Sequence, residues 1–166
     1  NDLPTPLGRN YQMLLPATVP GVATPVSGGS FAANPSRAVQ IGVNGVSGWG
    51  NNTRIDGTSS TDYNGVYPMY TPALESIETI NVVTNSFDAE QGLAGAAAVN
   101  ISSKSGTNSI HGSAFEYHAD QHLKAYAWAS DRTKAQPKYV NNQFGATIGG
   151  PIKKNKLFYF VSYEGT

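Results

Sequence analysis

The sequence predicts an α+β chain whose last third turns to long antiparallel strands. Three observations carry this reading. β-branched alternation starts near residue 37 and recurs, broken by two short helical signals. From about Ile110 the alternating segments lengthen to about ten residues. The final stretch, KLFYFVSYEG, holds four aromatic residues among the eight from Leu157 to Glu164: Phe158, Tyr159, Phe160 and Tyr163.

At 166 residues the chain suffices for a domain with a core. Its eleven basic and eleven acidic residues cancel, and only 13% of positions are charged, which argues against nucleic-acid binding. The 18 glycines and 10 prolines exceed the average share of roughly 12% and suit many turns. Without cysteine there is no disulfide and no thiolate metal site. No apolar run reaches the length of a transmembrane helix. The opening NDLPTPLGRN has neither a basic head nor an apolar run, so no signal peptide is expected within it.

The elements follow in order. In LGRNYQMLLPA, Tyr11, Leu14 and Leu15 share a helical face, and Pro16 and Pro20 would end the helix. PGVATPVSGGSFAANPS reads as loop. RAVQIGVNG alternates Val39, Ile41 and Val43 against Gln40, Gly42 and Asn44, a half-buried strand closed by an Asn-Gly turn. A short strand, TRIDG, ends in a second turn at Asp56-Gly57. Residues 58–70 are polar and aromatic loop. Thr71 and Pro72 resemble an N-cap and first helical position for PALESIE, with Glu75 where the helix dipole favours an acid. ETINVVTN and AAAVNISSKSGTN are strands, joined by the loop DAEQGLAG.

In HGSAFEYHA, Phe115 and Tyr117 fall on one face, and Ala114, Glu116 and His118 on the other. NNQFGATIGG sets Phe144, Ala146 and Ile148 against Gln143, Gly145 and Thr147. PIKKNK is a tight polar connection, whereas residues 119–140 form a long loop. Alternating strands with short turns on one side and long loops on the other are the outer-membrane β-barrel pattern. Aromatic clusters at strand ends fit the membrane interface. Both faces of residues 157–164 are apolar, so the pattern leaves open which one meets lipid.

Candidate chemistry is sparse. His118 and His122 could chelate a metal on a helix, but in a strand that spacing puts them roughly 13 Å apart. Together with His111 they read as solvent- or lumen-facing side chains. Asp56, Asp62 and Asn64 lack the bidentate glutamate of a calcium loop. Gly28-Gly29 and Gly149-Gly150 have no phosphate-loop or dinucleotide context. No nucleophile elbow occurs, and Glu75, Glu78, Asp88 and Glu90 form no evident acid–base pair. Neither catalysis, a cofactor nor a metal is expected. Trp49, Tyr63, Tyr67 and Tyr70 lie among Asn, Ser, Thr and Gly, a mixture that suits an adaptable binding surface.

Five motifs in order, GRNYQ, IDG, IE-x-I-x-V-x-TN, VNISSKSGTN–HGSAFE and NQFG-x-x-x-GGPI-x-KNK, carry a resemblance over nearly the whole chain. It resembles the TonB-dependent outer-membrane transporters, in particular the Oar-like branch with a carboxypeptidase-regulatory-like domain. The resemblance implies a small mixed-sheet plug domain over residues 1–108, followed by the first three strands of a β-barrel over residues 109–166. Barrels of this kind have about 22 strands around a plugged lumen. The first strand would rise around Ile110, the second descend from Asn142 to Gly150, and PIKKNK would be a periplasmic turn. Substrate would bind on plug apices, which match by position Asn44, Gly45 and Trp49, then Thr58, Ser59 and Asp62, then Tyr67 and Tyr70.

The implied partners are TonB, the outer membrane, the remaining barrel strands and an unidentified small-molecule, oligosaccharide or peptide ligand. No TonB box precedes Asn1, and about nineteen strands of such a barrel are missing, so a fragment of a larger receptor is expected. Its exposed strand edges raise two alternatives: self-assembly of copies into oligomers or fibres, or a soluble secreted ligand-binding β-domain. The expected location is the outer membrane of a Gram-negative bacterium, or the exterior for a released fragment.

Overall fold

The computed structural model describes residues 9–23, 38–39, 41–46, 50–62, 67–85, 88–91, 95–123, 138 and 140–166. Within them the chain forms a mixed sheet with its own core and a separate three-stranded meander. The helical content is slight. A 3-10 turn spans Tyr11–Met13 and α1 spans Leu15–Thr18. The predicted single helix is therefore broken, and Pro16 sits in the first turn of α1 rather than stopping it. A proline is tolerated there because its missing N–H has no intrahelical partner to lose. Asn10 caps the first turn, its Oδ1 accepting from Gln12 N at 2.9 Å.

Four strands make the mixed sheet: β1 (Asn51–Ile55), β2 (Thr58–Ser59), β5 (Ile77–Val83) and β6 (Ala97–Ser103), in the order β2-β1-β6-β5. β6 lies parallel to β1 and antiparallel to β5. It is the central strand, and its run of Ala97, Ala98, Val99 and Ile101 is buried. Two further short strands, β3 (Thr61–Asp62) and β4 (Tyr67–Pro68), pair antiparallel. Residues 58–70 are thus not all loop: their polar residues still pair backbone to backbone.

Val39, Ile41 and Val43 are buried, as their alternation indicates, but they join no strand. Val43 makes only isolated bridges to Val22 and Val46. Its neighbours are held otherwise: the Gln12 amide donates to Val39 O at 2.9 Å and accepts from Val39 N at 2.8 Å. Side-chain amides thus take the place of a neighbouring strand. The core gathers these residues with Tyr11, Leu15, Ile77, Val99 and Ile101. Burial there pushes the Tyr11 phenol far above its ordinary pKa.

The helix expected over PALESIE is a single 3-10 turn at Leu74–Ser76, with Ala73 rather than Thr71 at its N-cap position. Immediately after it, the β-branched Ile77–Val83 segment takes over as strand, which leaves no room for a longer helix. The loop DAEQGLAG contains a further 3-10 turn, Ala89–Gln91. Both turns read as dipeptide signals are present: Asn44-Gly45 with φ 51° and 79°, and Asp56-Gly57 with φ 48° and 82°. Left-handed values at both positions are what a two-residue hairpin requires.

The meander comprises β7 (His111–Asp120), β8 (Val140–Lys153) and β9 (Leu157–Gly165), in the order β7-β8-β9. β8 extends past Gly150 to Lys153, so the connecting turn is Lys154–Lys156.

Candidate functional site

Register gives the meander two unlike faces. Phe115 pairs with Gly145, Ser113 with Thr147, and His111 with Gly149; Thr147 pairs with Ser162 and Gly145 with Glu164. On β8 this face is small or polar, and its residues Gln143, Gly145, Thr147 and Gly149 are buried, whereas β7 and β9 bring the rings of Phe115, Tyr117 and Phe160 to it. The opposite face carries Phe144, Ala146, Ile148, Val161 and Tyr163, all exposed. Tyr163 is 63% exposed and Val161 55%. The pairing partners sort the two faces of β9: Val161 and Tyr163 belong to the exposed apolar face, whereas Ser162 and Glu164 lie on the face of the buried β8 residues.

Glycines make the inward face possible. A Cβ on Gly145 would lie 2.5 Å from the Phe115 ring, and one on Gly149 3.0 Å from that of Phe160. The rings therefore lie across β8 where side chains would otherwise stand. Ser113 and Thr147 hydroxyls meet at 2.8 Å on the same face, and the Gln143 amide donates to Glu164.

Arg9 joins this face to the mixed sheet. Its guanidinium donates to Glu75 Oε1 at 2.5 Å and stands 4.5 Å and 4.2 Å from the ring centroids of Phe115 and Tyr117. Arg9 is only 7% exposed, and among the described residues its Nε and Nη1 have no hydrogen-bond partner, consistent with a plane stacked on aromatic faces. Beside it lies a cavity of about 230 Å³ lined by Tyr70, Thr71, Ser162 and Glu164. Thr71 Oγ1 and Glu164 Oε2 are buried there without a partner among the described residues, and the space is polar and roomy enough for water. Sequence reasoning placed Glu75 at a helix dipole and gave Arg9 no role. The only available signal was the motif GRNYQ itself.

The predicted apex residues separate into groups. Asn44 and Gly45 form an exposed turn tied back by Asn44 N donating to Gly21 O at 2.8 Å. Thr58 and Ser59 are exposed on β2, where the Ser59 hydroxyl donates to Asn52 Oδ1 at 3.2 Å. Asp62 and Tyr67 are register partners across β3 and β4. Tyr70, 59% exposed, lines the Arg9 cavity instead of joining them. Trp49 lies outside the described residues, as do Tyr63 and Asn64.

Of the histidines, His118 Nδ1 is 2.5 Å from Asn142 Oδ1, and His122 sits beside Asp120. Asp56 has a structural role. Its carboxylate accepts from Ser103 N at 2.8 Å and from the Ser103 hydroxyl at 2.7 Å. Those two bonds, the backbone one first, hold its pKa below the ordinary carboxylate value.

A family model described as outer membrane beta barrel domain matches residues 102–166, which include all three strands of the meander. The TonB-dependent transporter Oar of Myxococcus xanthus is 26% identical over 131 residues, covering 74% of this chain and 12% of that protein. Among solved structures, the siderophore receptor PirA from Acinetobacter baumannii matches 94% of this chain and 22% of its own, with a TM-score of 0.59 and 20% identity, a likeness of fold. The chain thus spans a minor part of each of these proteins. Taken with the ordered motifs, these matches support reading the chain as a fragment of a TonB-dependent receptor of the outer membrane.

Proposed function

We propose that residues up to about 108 form the plug of this receptor and that β7–β9 are the first three strands of its barrel wall. In this reading the complete receptor binds substrate at the plug apices and admits it when TonB acts on the plug. The observation that carries the reading is the two-faced meander. One face is apolar and exposed, and the other, with small or polar residues on β8, meets Arg9 through Phe115 and Tyr117, an arrangement suited to lipid outside and a plug inside. The apex candidates are Asn44, Gly45, Trp49, Thr58, Ser59, Asp62, Tyr67 and Tyr70, with Tyr70 set apart at the cavity.

The test places single cysteines at Thr58, Ser59 and Asn44 of the full-length receptor in intact cells. A membrane-impermeant maleimide should label them from outside, and bound substrate should slow that labelling. Labelling only after the outer membrane is opened would sink the apex assignment. Recovery of the receptor in the soluble fraction would sink the barrel assignment.

A further inference from the structure

We propose that the turn between β8 and β9 binds the anionic headgroups of glycerophospholipids in the inner leaflet of the outer membrane, a role that rests on the barrel reading above. The chain as a whole carries no net charge. Yet Lys153, Lys154 and Lys156 fall within four positions, all exposed, and among the described residues none of them makes an ion pair. Apolar side chains flank them on both strands: Ile152 is 66% exposed, Leu157 53% and Phe158 39%. Ammonium groups beside exposed apolar side chains complement a layer of phosphates beside acyl chains.

The turn is held in place. Asn155 takes the left-handed conformation at φ 60°. Its backbone N donates to Asn108 Oδ1 at 2.8 Å, and Asn108 Nδ2 donates back to Asn155 Oδ1 at 2.7 Å. Lys156 N also donates to Lys153 O at 3.0 Å. The backbone carrying the lysines is therefore ordered before any lipid arrives, which lowers the cost of binding. Connection length assigns the leaflet. This turn has three residues, Lys154–Lys156, whereas β7 and β8 are joined through residues 121–139. In outer-membrane barrels the short turns face the periplasm and the long loops the exterior. The phosphates within reach are then those of phospholipids and not of lipopolysaccharide.

The experiment uses the full-length receptor carrying this segment, purified in mild detergent and offered phosphatidylglycerol, phosphatidylcholine or lipopolysaccharide in mixed micelles. Retained lipid is counted by mass spectrometry, and heat-modifiable electrophoretic mobility reports a folded barrel. The wild type should retain phosphatidylglycerol over phosphatidylcholine. The combined Lys153→Gln, Lys154→Gln and Lys156→Gln variant should lose about tenfold or more in affinity for it. Should that variant fail to fold, the three single variants carry the same comparison. Unchanged phosphatidylglycerol retention by a folded variant would overturn the proposal, as would a loss confined to lipopolysaccharide. A receptor that never reaches the outer membrane would overturn the barrel reading, whereas a folded one indifferent to the substitutions overturns only this inference.

Discussion

Arg9 and Glu75, 66 residues apart, meet in a buried ion pair of 2.5 Å, with side chains 7% and 16% exposed. Among the described residues neither partner has a second ion pair. Removing one leaves the other's charge desolvated, so the cost is set by the abandoned group more than by the attraction lost. Because Arg9 also covers Phe115 and Tyr117, this pair ties the mixed sheet to the meander.

Glu75→Gln and Arg9→Ala should therefore each destabilise the joint by about 3 kcal/mol. Arg9→Lys keeps the charge but loses the flat face that rests on the rings, and should still cost about 1 kcal/mol. Urea titration of the full-length receptor, followed by limited proteolysis of the segment around Arg9, reads these differences. Equal protease resistance in wild type and Arg9→Ala would show that the pair does not hold the units together.

A second prediction concerns acid. Ser103 N–H and then its hydroxyl stabilise the charged form of Asp56. A folded-state pKa below the unfolded one adds stability above the unfolded value of about 3.9, and that stability disappears as pH falls through the lower folded value. Amide exchange at Ser103 should accordingly accelerate below about pH 4 in the wild type. In Asp56→Asn it should be faster at neutral pH and lose that acid step. Asparagine tolerates the left-handed turn, so the comparison isolates the charge. An unchanged acid step in the variant would assign it to another group.

How far these features could be read beforehand depended on whether they are local. The strands of the meander declare themselves through alternation, and Asn44-Gly45 and Asp56-Gly57 through turn chemistry. Val39, Ile41 and Val43 show the limit of that logic. Alternation reports which side chains are buried, and a segment lying against side-chain amides alternates as a paired strand does. The face of β9 was hidden because Phe158 and Phe160 are as apolar as Val161 and Tyr163. Only pairing with Thr147 and Gly145 of β8 separates the two sets. The Arg9 cavity was hidden altogether, since its walls come from positions as distant as Thr71 and Glu164.

Close packing on the inward face gives a third prediction. A side chain at Gly145 meets the Phe115 ring and the Tyr163 carbonyl oxygen, each 2.5 Å from where its Cβ would stand. Gly145→Val should cost about 1–3 kcal/mol or prevent assembly. Ala146→Val, one position along on the exposed face, should be close to neutral. Heat-modifiable mobility of the two variants in outer-membrane preparations makes the comparison. Equal behaviour would mean that register does not distinguish the faces.

The fourth prediction follows from the same register applied to charge. If Phe144, Ile148 and Val161 face acyl chains, a guanidinium at Ile148 has no water within reach, and the expected penalty is about 2–4 kcal/mol near the bilayer midplane. Ser162 pairs with Thr147 on the inward face, where polar groups already sit, so a charge placed there escapes that penalty. Folding of full-length Ile148→Arg and Ser162→Arg receptors into phosphatidylcholine vesicles, titrated with urea, should thus differ in the direction that the faces dictate. A penalty falling on Ser162→Arg instead would put lipid on the inward face. It would also make the contact of Arg9 with Phe115 impossible inside a closed barrel, because the plug and the bilayer cannot share one side of a strand.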